Sequence, residues 1–463
     1  MEFSTKVLHG KSVKRFENGA TLPPIAQVSA FSYDSAEELE KVFANKAPGF
    51  AYTRIGNPTV DAFERRICEL EGGSAAVACS SGMAAVTSAL LNILQSGDEI
   101  IAGSGLFGGT IDLFHALEAF GIRTKFVTHV NVDEVEKNIT GKTKAIFGEL
   151  IGNPGLDVMD IESVAELAHK NGIPLIVDST TATPYLIRPI EYGADIVVHS
   201  SSKYINGSGN SVSGIIVDSG KFAWDHDKFP ALASYRKFGN FAYTARLRND
   251  LWRNIGGCLA PMNAYLNLVG LETLALRMQK ICDNALALAK FFAETDGVDV
   301  NYPALACSQS YSLVQKQLGG NGGGIVTIRT GSKENAYQLM NSLKYALKAT
   351  NIGDTKTLVI HPASTIYVHS TEEQRIKAGV FDDTIRISVG IEDAGDLIED
   401  FTQAIHHLTE NGQSSRKPSL HCPTEKPSLC SAAIWIKPSR RSLWPTALPP
   451  WEERSPSFSP SGG

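Results

Sequence analysis

Between residues 51 and 250, short runs rich in valine and isoleucine alternate with amphipathic stretches of helical period. That alternation leaves few folds open. Strand-like text falls at 75–79, 99–102, 123–128, 144–148, 174–178 and 195–198, and helix-like text at 58–71, 83–95, 110–120 and 160–171. Strands joined through helices have the crossovers that parallel pairing needs, so they build a mostly parallel sheet covered on both faces. The chain is therefore expected to be α/β, with residues 51–250 as its large domain. Residues 1–50 are polar and turn-rich with little core of their own, which suits an arm packed on a second subunit. Residues 251–412 read as a smaller α+β C-terminal domain: a long helical stretch over Leu259–Phe292, strands at Gly324–Arg329 and Thr384–Val389, and a last helix over Asp393–Glu410. Serine and proline supply about two-fifths of the residues after 413, so 413–463 is expected to be an atypical disordered tail.

The formal charge of -6 argues against a chain built to neutralise a nucleic-acid backbone. Seven cysteines are scattered with no C-x-x-C pair, which reads as a reducing compartment without structural disulfides or a zinc site. The uncharged run Ser74–Gly97 is long enough to span a bilayer. Its Cys79-Ser80-Ser81-Gly82 interruption suits a buried strand, a turn and a buried helix better. With a polar N-terminus lacking a signal-like apolar segment, the expectation is a cytoplasmic protein and no membrane partner.

The chemistry gathers at strand ends. After the strand Ile196–Val198 come Ser200, Ser201 and Ser202, then Lys203 and a glycine-rich turn through Gly209. A lysine at a strand terminus loses solvation and becomes a nucleophile toward carbonyls, unless it is only a solvated lysine opening a loop. Ser80-Ser81-Gly82-Met83 places backbone N–H groups at a helix start, either as an anion site or as a plain serine cap. Asp178 closes a central strand, where a carboxylate meets a cation such as a pyridinium, or caps the next turn. Tyr52 and Arg54, two apart on extended backbone, offer a phenol and a guanidinium to one phosphate, or line an exposed linker. Arg386, in the strand Thr384–Val389, suits a bidentate grip on a substrate carboxylate or an exposed salt bridge.

A phosphate nest, a pyridinium partner and an imine-forming lysine in one α/β chain describe a pyridoxal 5'-phosphate site. At this point the sequence resembles the cystathionine synthase and lyase family of Cys/Met-metabolism enzymes, over about residues 20–412. It is most similar to the O-acetylhomoserine sulfhydrylase branch. Four stretches carry that likeness: Phe147-Gly148-Glu149-Leu150-Ile151-Gly152-Asn153-Pro154, Gly214–Phe222, Asn351-Ile352-Gly353-Asp354 and His361-Pro362-Ala363-Ser364-Thr365. Lyases of the family usually have serine where this chain has Asn351.

The resemblance implies fold type I, pyridoxal 5'-phosphate as cofactor and a homo-oligomer, generally a tetramer. It assigns Lys203 to the covalent bond with the cofactor and to proton shuttling, and Asp178 to the pyridine nitrogen. Ser81, Gly82, Met83, Ser200 and Ser202 would hold the phosphate, joined by Tyr52 and Arg54 from a neighbouring subunit, with Tyr52 also counted as catalytic. Phe107 takes the ring-stacking position where the family commonly has tyrosine. Asn153, Asn351 and Arg386 would bind substrate. Ser202 and Ser208 stand where threonine and histidine are usual. The implied reaction is γ-replacement on O-acetylhomoserine by sulfide or a thiol, with methionine γ-lyase or cystathionine γ-synthase activity as alternatives. Gly103-Ser104-Gly105-Leu106-Phe107-Gly108 also fits a dinucleotide fingerprint, but Thr128 and His129 stand where its ribose-binding acid belongs.

Overall fold

The computed structural model describes residues 1–11 and 19–410. The tail expected at 413–463 lies outside the described residues. Seven strands, β1 (Ala75–Cys79), β2 (Glu99–Gly103), β3 (Arg123–Val127), β4 (Thr143–Glu149), β5 (Leu175–Asp178), β6 (Ile196–His199) and β7 (Gly214–Asp218), form one sheet. Its order is β1-β7-β6-β5-β4-β2-β3. The pairs among β2 to β6 are parallel, and only β7 runs against its neighbours β1 and β6.

The sequence reading did not include β7 as a strand. Its direction has a simple cause: residues 200–213 between β6 and β7 contain no helix, and a parallel return needs a crossover. Side chains alternate faces along each strand. Thus Ile101, Ile146, Val177, Val197 and Ile215 enter one apolar core, while Ile100, Phe147, Ile176, Ile196 and Ile216 enter another on the opposite face. The sheet is buried on both sides, as expected for mostly parallel pairing.

Five further strands, β8 (Asp299–Asn301), β9 (Ile325–Arg329), β10 (Leu347–Lys348), β11 (Leu358–Ile360) and β12 (Thr384–Ser388), make a second sheet of order β10-β11-β12-β9-β8. Ile328, Ile385 and Ile387 share an apolar core with Leu288 and Phe292 of helix Leu274–Ala293 and with Leu397 and Phe401 of helix Ala394–Glu410.

The helical stretch expected over Leu259–Phe292 is two helices, Pro261–Glu272 and Leu274–Ala293, parted at Thr273. The break serves the loop after β6. Arg277 donates to the carbonyls of Tyr204 at 2.7 Å, Ile205 at 3.3 Å and Gly270 at 2.6 Å. Gly270 admits this approach, since a Cβ there would lie 2.2 Å from the Asn206 carbonyl oxygen.

The run Ser74–Gly97 resolves into β1, a turn and the helix Gly82–Leu91. Among the described residues no helix is long and apolar enough to cross a membrane. Cys68, Cys79, Cys258 and Cys282 are free thiols.

Where β6 ends, His199 Nε2 lies 2.6 Å from Glu71 Oε1, with both side chains fully buried. Removing one member of such a pair strands the other away from water. Glu71→Ala is expected to lower unfolding free energy by about 3 kcal/mol, read as a lower denaturant midpoint.

Candidate active site

Lys203 sits just past β6 in a tight turn, where its N–H donates to the Ser200 carbonyl at 3.2 Å and its own carbonyl accepts from Gly207 N–H at 2.8 Å. Its Nζ donates to Asn351 Oδ1 at 2.6 Å. Burial, with the nearby Arg386 guanidinium second, lowers the amine from its usual value to about 8. The solvated-loop reading of this lysine therefore gives way to a gripped amine that is partly neutral near physiological pH.

The glycine of Asn351-Ile352-Gly353 explains how that grip is possible. Gly353 has φ +74°, and a Cβ on it would lie 2.5 Å from Tyr204 N and 2.9 Å from Lys203 C. Only a glycine lets this segment rest on the lysine's backbone.

Arg386 projects from β12 and is 2% exposed. It donates from Nη1 to Asn153 Oδ1 at 3.3 Å and from Nη2 to the Asn351 carbonyl at 2.9 Å. Its Nε has no partner, and among the described residues no carboxylate pairs with it. Burial pushes the guanidinium down to about 10. The salt-bridge reading thus fails, and a buried cation held only by neutral acceptors is poised for an incoming anion. Lys203, Asn351, Arg386 and Asn153, far apart in sequence, form one connected chain of hydrogen bonds.

Asp178 ends β5 beside Glu149 at the end of β4, the two being register partners. Burial raises both carboxyls above their usual range, and for Glu149 the neighbouring Asp178 adds to the rise. Asp178 Oδ1 accepts from Thr180 N–H at 2.9 Å, and Thr180 Oγ1 accepts from Ser200 N–H at 2.8 Å. Thr180, which sequence reasoning passed over, ties the Asp178 turn to the lysine loop. Its only textual signal is a hydroxyl two residues after a strand-ending acid.

The turn Ser80–Met83 meets the same loop. A Cβ on Gly82 would lie 2.6 Å from Ser200 Cβ, so the helix start and the lysine loop touch through this glycine. Ser81 accepts from Ala84 N–H at 3.0 Å, which makes it a helix cap as well as a member of the turn. Met83 follows in the first turn of that helix. Ser202 is less free than expected: its hydroxyl donates to the Ser213 carbonyl at 3.0 Å and accepts from Ser213 N–H at 2.9 Å.

Tyr52 and Arg54 lie in a turn, where the N–H groups of Ile55 and Gly56 return to the Tyr52 carbonyl, and not on the extended backbone expected. The guanidinium still lies 5.6 Å from the centre of the Tyr52 ring, and it donates to the Arg253 carbonyl at 2.6 Å. Neither side chain is hydrogen-bonded to the Lys203 cluster within this chain. The Gly103–Gly108 turn delivers Phe107 N–H to Glu149 Oε1 at 2.7 Å, with the phenyl ring 39% exposed.

These residues fit pyridoxal 5'-phosphate on their own geometry. A low-pKa lysine, a buried Asp178 carboxyl paired with no lysine or arginine among the described residues, a helix start that meets the lysine loop at Gly82 and a part-exposed aromatic side chain are linked through Ser200, Thr180 and Glu149.

The comparisons agree. The family model for Cys/Met metabolism PLP-dependent enzymes matches residues 4–406. The homocysteine synthase of Schizosaccharomyces pombe is 40% identical over 419 residues, spanning 87% of this chain and 98% of that one. The O-acetyl-L-homoserine sulfhydrylase of Corynebacterium glutamicum is 40% identical over 419 residues, spanning 86% and 95%. A solved Campylobacter jejuni structure, described as an O-acetylhomoserine (thiol)-lyase with a pyridoxyl-lysine phosphate, superposes with TM-score 0.84. It is 35% identical and spans 88% of this chain and 100% of its own. The chain belongs to the Cys/Met metabolism PLP-dependent enzyme family.

Proposed function

We propose that this enzyme is a transferase that converts O-acetylhomoserine and sulfide to homocysteine and acetate, accepting methanethiol in place of sulfide to give methionine. The observation that carries this is the buried, anion-free Arg386 joined through Asn351 to the lysine amine. An amino acid whose carboxylate docks on Arg386 and Asn153 brings its amine and Cα toward Lys203 Nζ, an orientation effect.

The residues then divide the work. Lys203 would hold the cofactor and, with its amine free, would carry the protons removed from the substrate's Cα and Cβ. Asp178 holds a proton on the ring nitrogen. Phe107 would face the ring, while Ser81, Gly82, Met83, Ser200 and Ser202 would hold the phosphate. When bound, the cofactor supplies the electron sink that makes those C–H bonds acidic. Departure of acetate from Cγ opens the position to which the sulfur nucleophile adds.

Tyr52 and Arg54 serve a neighbouring subunit's phosphate, which makes the working unit at least a dimer and, in our reading, a tetramer. Their pairing away from the chain's own Lys203 supports this. We take 51–250 as the cofactor-binding unit and 251–412 as the unit that brings in Asn351 and Arg386. We place the enzyme in the cytoplasm, the compartment that its scattered cysteines without a C-x-x-C pair suggest.

Asn351 favours replacement over elimination. Its amide reaches Lys203 Nζ, a contact the shorter serine of the lyases would not reproduce. The test is incubation with O-acetylhomoserine and sulfide, then with methionine alone. Homocysteine in the first and little 2-oxobutyrate in the second is the expected result; rapid 2-oxobutyrate release from methionine, without homocysteine synthesis, would establish a lyase instead.

A further inference from the structure

Glu149 is the side chain on which the site residues converge. It ends β4 in register with Asp178 on β5. Oε1 accepts from Phe107 N–H at 2.7 Å, and Oε2 accepts from Asn153 N–H at 3.3 Å. One of these partners offers an aromatic face to the ring; the other holds Arg386 through Oδ1. Leu106, next to Phe107, is fixed from another side by Tyr367 Oη donating to its carbonyl at 3.0 Å.

We infer that Glu149 is a positioning residue: its two carboxyl oxygens hold the Phe107 and Asn153 loops together at the strand ends beside Asp178, fixing ring stacking and substrate-carboxylate grip together. The inference rests on the roles assigned above to Phe107 and Asn153. Here each N–H reaches a different oxygen, and of the side chains of this length only a carboxyl group presents two oxygen atoms. A glutamine in the same pose turns an NH2 group toward one of the two N–H donors, so one of the two backbone contacts is lost. A carboxyl beside Asp178 also opposes ionisation of both groups, an electrostatic cost that a purely structural tie between two loops would not require.

The experiment compares wild type, Glu149→Gln and Phe107→Ala as holoenzymes. The readouts are visible circular dichroism of the bound cofactor, which follows ring orientation, and separate kcat and KM values for O-acetylhomoserine. Glu149→Gln is expected to keep the cofactor, move its dichroism toward that of Phe107→Ala and raise KM about tenfold. Wild-type dichroism and KM in Glu149→Gln, with an altered spectrum in Phe107→Ala, overturns the inference. An unaltered spectrum in Phe107→Ala overturns the stacking role itself, and the inference falls with it. Should Glu149→Gln fail to fold, Glu149→Asp, which is too short to reach both amides, is read by the same criteria.

Discussion

Lys203→Ala is expected to abolish the long-wavelength absorbance of a lysine-bound cofactor and to lower turnover by about 10⁴-fold or more, because in the function proposed above one group both attaches the cofactor and moves the protons. The same amine sets a pH dependence. Its value is lowered to about 8 from 10.5, so the neutral, nucleophilic form is favoured by burial. Cofactor added to enzyme freed of it is captured at a rate that falls about tenfold for each pH unit below 8 and levels off above it. Stopped-flow absorbance checks this. A rate still climbing toward pH 10.5 would mean that Lys203 is a solvated lysine like any on the surface.

Asp178→Asn separates activity from stability. Turnover is expected to fall about 10²–10³-fold, since an amide cannot hold a charge opposite the ring nitrogen. The cofactor-free protein moves the other way. A carboxyl whose folded pKa is raised costs stability once the pH exceeds its unfolded value, and Asp178 is raised by burial. Asparagine keeps the Oδ1 that accepts from Thr180 N–H and removes the charge that opposes Glu149. The melting temperature at pH 7 therefore holds or rises. A large fall in both quantities would make Asp178 a structural residue first.

Much of this was legible in the chain because it depends on local pattern. The valine- and isoleucine-rich runs reach the core through strict alternation, and their text marks both faces as covered. β7 was missed because Gly214–Asp218 is a single short apolar run whose role depends on what lies between it and β6. Lys203 announced itself by its place after a strand. The partners of Arg386 did not: Asn153 and Asn351 come from separate loops, and nothing in their spacing says that one guanidinium joins them. Resemblance supplied that grouping, and the hydrogen bonds support it. Glu149 was read only as a letter in a family motif. A charged residue ending an apolar strand is a weak signal until both amides that reach it are known.

The contact between Gly353 and the backbone of Lys203 also bears on the order in which the protein is made. The lysine leaves the ribosome long before the glycine that presses on it, and before Arg386. A nascent chain stalled between them carries the reactive amine without the segment that seats it. Synthesis of residues 351–386 thus completes the seat of this amine, and until then Lys203 is an ungripped lysine like any other.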